Sequence, residues 1–358
     1  MKEKRNGIIS LWKFLFAIVI AFFHCSQFYQ DIKNPFFPGG YIAVEFFFIV
    51  SGFYLAKKLI KEKYDTKNIV GETIKYIFKK ILKLFPYILI AYIFSIIIRL
   101  YYNPNLKTNE LINSIWNLFL LREFGLRSTN ILPQLWYLTS MFISIFILYP
   151  IVKKYKEKFI AFISPLIVLF GLGYLSYNWV GLDHSHQIWS GFTRTGIIRG
   201  FIELNLGMIL YLIHLKLSKV EYTKIGKLAL TFLGEGLLVS VLIVINYIDA
   251  PKYYDYIMLF FISIAVIIIS SEKTLEYNIL SGKFFNYLEK LSMPIFINHV
   301  FVINLIDYAP IFDPINPVNQ SLLAVIISII FSIIEMKLID SLNKYNITYH
   351  LKKVFIKC

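Results

Sequence analysis

The sequence predicts an all-α fold: a polytopic transmembrane helical bundle of about ten spans, with the N- and C-termini cytoplasmic. Three observations predict it. First, 57% of the 358 residues are hydrophobic and the mean hydropathy is +0.63; a soluble domain carries an apolar share of about 45–50%. Second, near-continuous apolar runs recur at the length that crosses a bilayer, roughly 20 residues. Third, the cations gather in short stretches between alternate runs, as they do in cytoplasmic loops.

The spans are read at 8–30, 40–57, 82–100, 131–151, 159–177, 195–215, 228–248, 254–271, 291–309 and 319–337. With the N-terminus inside, the inner stretches hold 28 of the 37 Lys and Arg, and "KKLIKEKYDTKNIVGETIKYIFKKILK" alone holds nine. "ELINSIWNLFLL" (Glu110–Leu121) is apolar but too short to span. Counting it would send Lys153, Lys154, Lys156 and Lys158 outside, so it is placed at the outer interface as an amphipathic helix. The opening "MKEKRNG" and the run behind it have the layout of a signal peptide. That run is too long and lacks a small-residue cleavage site, so it is read as a retained first helix. Residues 1–358 form one membrane domain, with no fused soluble domain expected. The net charge of +15 is confined to short loops, which leaves no folded basic surface for nucleic acid. Cys25 and Cys358 do not make a disulfide framework. The expected location is the cytoplasmic membrane of a bacterium.

Ionisable groups inside spans are costly and mark function by default. The first span, "WKFLFAIVIAFFHC", carries Lys13 and His24. Eleven residues is about three helical turns, so both project from one face, about 16 Å apart along the axis. Lys13 suits snorkelling to headgroups as well as anion binding. His24 cannot snorkel far, and imidazole is the usual general base near neutral pH. Glu45, in "GGYIAVEFFFIVSGFYLAKK", is expected at similar depth on the neighbouring span, where a carboxylate can orient His24; a purely structural pair is the other reading. Ser51 and Gly52 add small residues that let helices approach or leave room for a ligand.

Trp136 and Tyr137 open the fourth span, as an aromatic belt or as a platform for a glycan. Arg199 and Glu203, four apart in the sixth span, can pair on one face, structurally or around a polar ligand. In "LSMPIFINHV" of the ninth span, Pro294 is expected to break the helix ahead of Asn298 and His299, and the polar patch to line a cavity. Asp183, His184 and His186 in "GLDHSHQIW" are too few and too closely spaced for a metal site, which needs three or four convergent ligands; no metal is expected.

These stretches together, in this order, resemble the acyltransferase-3 family, multi-pass membrane O-acyltransferases of bacterial surface glycans. Lys13 and His24 match the family's basic residue, ten residues, then His. "GGYIAVEFFFIVSGF" resembles its glycine–acid–Phe-Phe–Ser-Gly-Phe signature. "QLWYLTSMFISIFILYP" resembles its Trp-containing helix ending in Tyr-Pro, and "LSMPIFINHV" its late helix ending in His. Two positions depart from the pattern: Lys13 stands where Arg is common, and Glu45 where Asp is.

The resemblance implies acyl transfer, acetyl by default, from cytoplasmic acyl-CoA to a hydroxyl of an extracytoplasmic glycan or lipid-linked saccharide. No bound cofactor is implied; acyl-CoA is the donor substrate. His24 would act as general base, or carry the acyl group itself, with Glu45 orienting it. Lys13 and Ser51 would meet the acyl-CoA. Trp136, Tyr137, Arg199, Glu203 and His299 would line the acceptor pocket. Buried charges alone also fit a transporter or flippase of a glycan; the spacing of Lys13 and His24 favours the enzyme.

Overall fold

A computed structural model describes residues 6–29, 33–62, 68–102, 108–126, 129–182, 189–191, 193–248, 252–271, 273–275, 280 and 282–344. Eleven α-helices make up almost all of it: α1 (Gly7–His24), α2 (Ala43–Lys61), α3 (Ile69–Tyr102), α4 (Thr108–Leu118), α5 (Trp136–Lys158), α6 (Ser164–Asn178), α7 (Thr195–Leu217), α8 (Lys224–Ile245), α9 (Tyr254–Ser270), α10 (Lys283–Tyr308) and α11 (Pro317–Lys344). The sheet content described is one two-residue hairpin, β1 (Trp189–Ser190) with β2 (Thr193–Arg194). In hydrocarbon a helix satisfies its own backbone groups, which is why apolar runs of this length take no other form.

Seven helical stretches among the described residues are long and apolar enough to cross a membrane, and the chain is an integral membrane protein. The longest, Pro133–Asn178, is two helices. At Lys156 the backbone turns to φ 48°, ψ −130°, which separates α5 from α6, and both then pack on α7. α2 carries Glu45, Lys57, Lys58 and Lys61 and α9 has only 17 residues, so neither belongs to the seven; α2 is nonetheless buried along nearly its whole length. α4 has 11 residues, about 16 Å of helix, too short to cross.

Two parallel helix pairs hold the site. α2 runs alongside α7 in the same direction, with Gly52 against the Leu204 backbone and Gly207 against Ile49 and Phe53. A Cβ at Gly52 or Gly207 would overlap the carbonyl oxygen of Leu204 or Ile49. Small residues replace the hydrophobic drive that lipid cannot supply, because close backbones gain van der Waals contact. α1 runs alongside α10, also in the same direction, touching it near Lys13 and again near His24. α1 starts at a built cap: the Asn6 side chain accepts from the Ile8 and Ile9 amides and donates to the Ile269 carbonyl at 2.6 Å.

α10 corrects one expectation. Pro294 lies inside a continuous helix from Lys283 to Tyr308. The proline removes one donor from the ladder, and the helix survives because its flanking residues are buried against α1, α3 and α11.

Candidate active site

Lys13 and His24 both face α10, as their spacing requires. Lys13 Nζ pairs with Glu289 Oε1 at 2.8 Å, and Ser10 Oγ donates to Glu289 Oε2 at 3.3 Å. The Lys13 ammonium also stands 5.4 Å from the centre of the Tyr54 ring. Glu289 was not anticipated. Its signal lay in its position ten residues before His299, a near copy of the Lys13-to-His24 interval on the helix beside it. Around the same end of the bundle, Lys58 sits 3.9 Å and Lys80 5.1 Å from the Tyr76 ring centre. Lys13, Lys58 and Lys83 all act electrostatically on Lys80. This end is therefore cationic and aromatic together.

At the other end of α1, His24 Nδ1 bonds the Ile20 carbonyl at 2.9 Å. A carbonyl only accepts, so Nδ1 carries the proton of the neutral ring and Nε2 is its basic nitrogen. The ring lies 4.8 Å, centre to centre, from that of His299. His299 is fully buried; its Nδ1 bonds the Ile295 carbonyl at 3.2 Å, and its Nε2 has no hydrogen-bond partner. Gln134, buried at the start of the α5 segment, donates to the Ile297 carbonyl at 2.6 Å. Asn298 turns the other way, to Ser332 at 3.1 Å and Glu335 at 2.6 Å on α11. His299 and Asn298 thus divide the polar patch of α10 between the site and a helix–helix clamp.

Glu45 is not beside His24. Its carboxylate pairs with the Arg199 guanidinium on α7, and both side chains are buried. The depth differs as well. Phe46 meets Phe16, ring centres 5.0 Å apart, and Phe16 lies eight residues before His24, about 12 Å along the axis. The cause is the entry to α2: Gly40 already packs on Val19 and Phe23, so the chain has descended past His24 before Glu45 is reached. Arg199 also donates to Glu203 at 3.2 Å and to the Leu182 carbonyl at 2.9 Å. The Leu182 amide donates to Asp255 at 2.8 Å, and Tyr41 donates to the same carboxylate at 3.0 Å. Asp255 joins this network without having been singled out from the sequence.

The aromatic residues bridge the two clusters. Trp136 stands over Arg199, the guanidinium 5.5 Å from its ring centre. Tyr137 packs on Phe48 at 4.5 Å and on Phe296 at 5.5 Å, and Phe296 touches His299 at 5.9 Å. The Tyr137 hydroxyl donates to Met141 Sδ at 3.7 Å, and Ser51 is near enough to act on it. Ser51 therefore borders the aromatic wall.

Beyond α4, at the same end of α7 as Arg199, Glu123 is buried between Arg122 and Arg194, each at 3.8 Å. Burial pushes its carboxyl up from the ordinary value, against the opposing pull of Arg194 and Arg122. Among the described residues no group of three or more His, Cys, Asp and Glu is placed to hold a metal ion; Asp183, His184 and His186 lie outside the described residues.

A relative described as an amino-acid racemase, from Enterococcus faecalis, is 26% identical over 235 residues, covering 61% of this chain and 31% of the relative. The chain thus spans about a third of that protein's length, and the racemase description is said of the relative alone. No solved structure matches. A family model described as an acyltransferase domain matches residues 6–335, a range that takes in Lys13, His24, Glu45, Arg199 and His299. The chain belongs to the acyltransferase-3 family.

Proposed function

We propose that this protein is an O-acyltransferase of the cytoplasmic membrane. It moves an acyl group, acetyl by default, from cytoplasmic acyl-CoA to a hydroxyl of an extracytoplasmic glycan or lipid-linked saccharide. The matching topology has ten spans and cytoplasmic termini: α2 and α9 join the longer helices, and α5 and α6 count separately across the turn at Lys156. Lys13 and His24 then lie toward opposite faces of the membrane, on one helix.

The observation that carries this reading is the His24 Nδ1 bond to the Ile20 carbonyl, which turns a basic Nε2 outward from the helix ladder. The acceptor hydroxyl gives its proton to Nε2 as its oxygen attacks the thioester carbon. When the C–S bond breaks, Nε2 returns that proton to the leaving thiolate. The cationic, aromatic end of the bundle around Lys13 draws the phosphates of the donor. Ser51, beside Tyr137, borders the path of the donor's arm. On the acceptor side Arg199, Glu203, Trp136 and Tyr137 supply charge, hydrogen bonds and a stacking face. Glu45 acts through Arg199, fixing the guanidinium beneath Trp136.

The test is label transfer. Purified protein is given radiolabelled acetyl-CoA and a surface-glycan acceptor, and wild type is compared with His24→Ala. Label should reach the glycan with wild type alone. A wild type that transfers nothing, or a His24→Ala that transfers equally well, ends this reading. Glycan translocation that proceeds without acyl-CoA would mark a transporter instead.

A further inference from the structure

We propose that His299 is a donor-binding residue: its Nε2 accepts the cysteamine amide N–H of acyl-CoA and so sets the thioester beside His24. The inference rests on the acyl-CoA reading above and deepens it.

His299 is 0% exposed, and its ring is held by the Ile295 carbonyl through Nδ1. That bond makes Nε2 an acceptor in the neutral ring, and Nε2 is buried without a partner. Gln134, tied to the Ile297 carbonyl two residues away, buries a second partnerless acceptor, Oε1. Buried polar atoms without partners are costly and call for an explanation. Both of these atoms accept. A ligand that completes them must therefore bring hydrogen-bond donors.

The spacing identifies which donor. The ring centres of His24 and His299 are 4.8 Å apart. In an acyl-CoA the cysteamine amide nitrogen is four bonds from the thioester carbonyl carbon, a span of about 5 Å. An arm with its amide on His299 therefore carries its reacting carbon to His24. A glycan hydroxyl is the other available donor; the amide is favoured because its fixed four-bond reach to the thioester carbon matches the 4.8 Å between the two rings. The same α1–α10 contact leads from His299 to the Lys13–Glu289 pair, the end where the proposal seats the donor phosphates.

The experiment uses two donors: acetyl-CoA, and an analogue in which the cysteamine amide N–H is replaced by an ester oxygen. The whole protein is assayed for transfer to the glycan. Wild type should favour acetyl-CoA by about tenfold or more in kcat/KM, the cost of leaving a buried acceptor unpaired. His299→Leu should lose that preference. His299→Gln, which retains an acceptor, should keep part of it. Neither change should alter the KM for the glycan. Equal use of both donors by wild type overturns the proposal with no variant needed, so the test holds even where His299→Leu fails to fold. A preference undiminished in His299→Leu overturns it too, as does a change confined to the KM for the glycan, which would move His299 to the acceptor. A wild type that transfers from neither donor sinks the acyl-transfer reading itself, and this subsite with it.

Discussion

His24 and His299 stand on parallel helices with ring centres 4.8 Å apart, each turning Nδ1 back to the carbonyl four residues earlier. The same contact between helices pairs Lys13 with Glu289 at 2.8 Å. One helix interface thus aligns two imidazoles at one end with an ion pair at the other. Neither rotation nor sliding of α1 can change one without the other.

His24→Ala removes the imidazole and little packing, since the ring is partly exposed. Acyl transfer should fall about 10²- to 10⁴-fold, the usual range for general base catalysis. The melting temperature in detergent should stay near that of wild type. Loss of activity with an equal loss of folded protein would assign His24 a structural role instead.

The α1 part of the site was legible because Lys13 and His24 share a helix, and helical geometry converts spacing into direction. Their partners were not. Glu289 and His299 are each more than 270 residues away, and only packing brings them in. Glu45 shows the limit plainly. Its burial was foreseen from its apolar neighbours, but its partner was not. Depth depended on where Gly40 packs on Val19 and Phe23 ahead of α2, which periodicity does not encode. Arg199 competed for the same carboxylate with a stronger charge-assisted bond. At Pro294 local propensity pointed to a break, and burial on three neighbouring helices overrode it.

Arg199 should be the most sensitive residue for stability. It is buried, and it serves Glu45, Glu203 and the Leu182 carbonyl at once. Arg199→Met leaves two buried carboxylates without their cation, at a cost of about 3–5 kcal/mol. Arg199→Lys should recover only part, because a single ammonium cannot reproduce the fork. Thermal unfolding in detergent reads both. An Arg199→Met protein with wild-type stability would show that the network is dispensable for the fold.

The Lys13–Glu289 pair separates two roles of Lys13. Its side chains are 19% and 26% exposed, so the pair itself contributes about 1 kcal/mol or less. If Lys13 also serves the donor phosphates, Glu289→Gln frees it and lowers the KM for acyl-CoA, by up to about fivefold for that energy, while Lys13→Gln raises it. If Lys13 only ties α1 to α10, both variants lose the same small stability and leave the KM unchanged. Paired measurements of KM and melting temperature decide between these outcomes.

The α2–α7 contact makes a sharper demand than any polar pair. At Gly52 a methyl group has to fit where the Leu204 carbonyl already stands, and at Gly207 where the Ile49 carbonyl does. Backbone cannot swing aside as a side chain can, so the helices must separate. That separation would pull Glu45 from Arg199, which spans the same pair of helices. Gly52→Ala and Gly207→Ala should therefore each cost about 1–3 kcal/mol or more. Activity should fall further than stability alone accounts for, because the Trp136–Arg199 face moves with α7. Gly236→Ala on α8, where an added Cβ meets nothing within 4 Å, is the control and should stabilise slightly through helix propensity. If Gly52→Ala and Gly236→Ala melt alike, the close approach of α2 and α7 does not hold the site together.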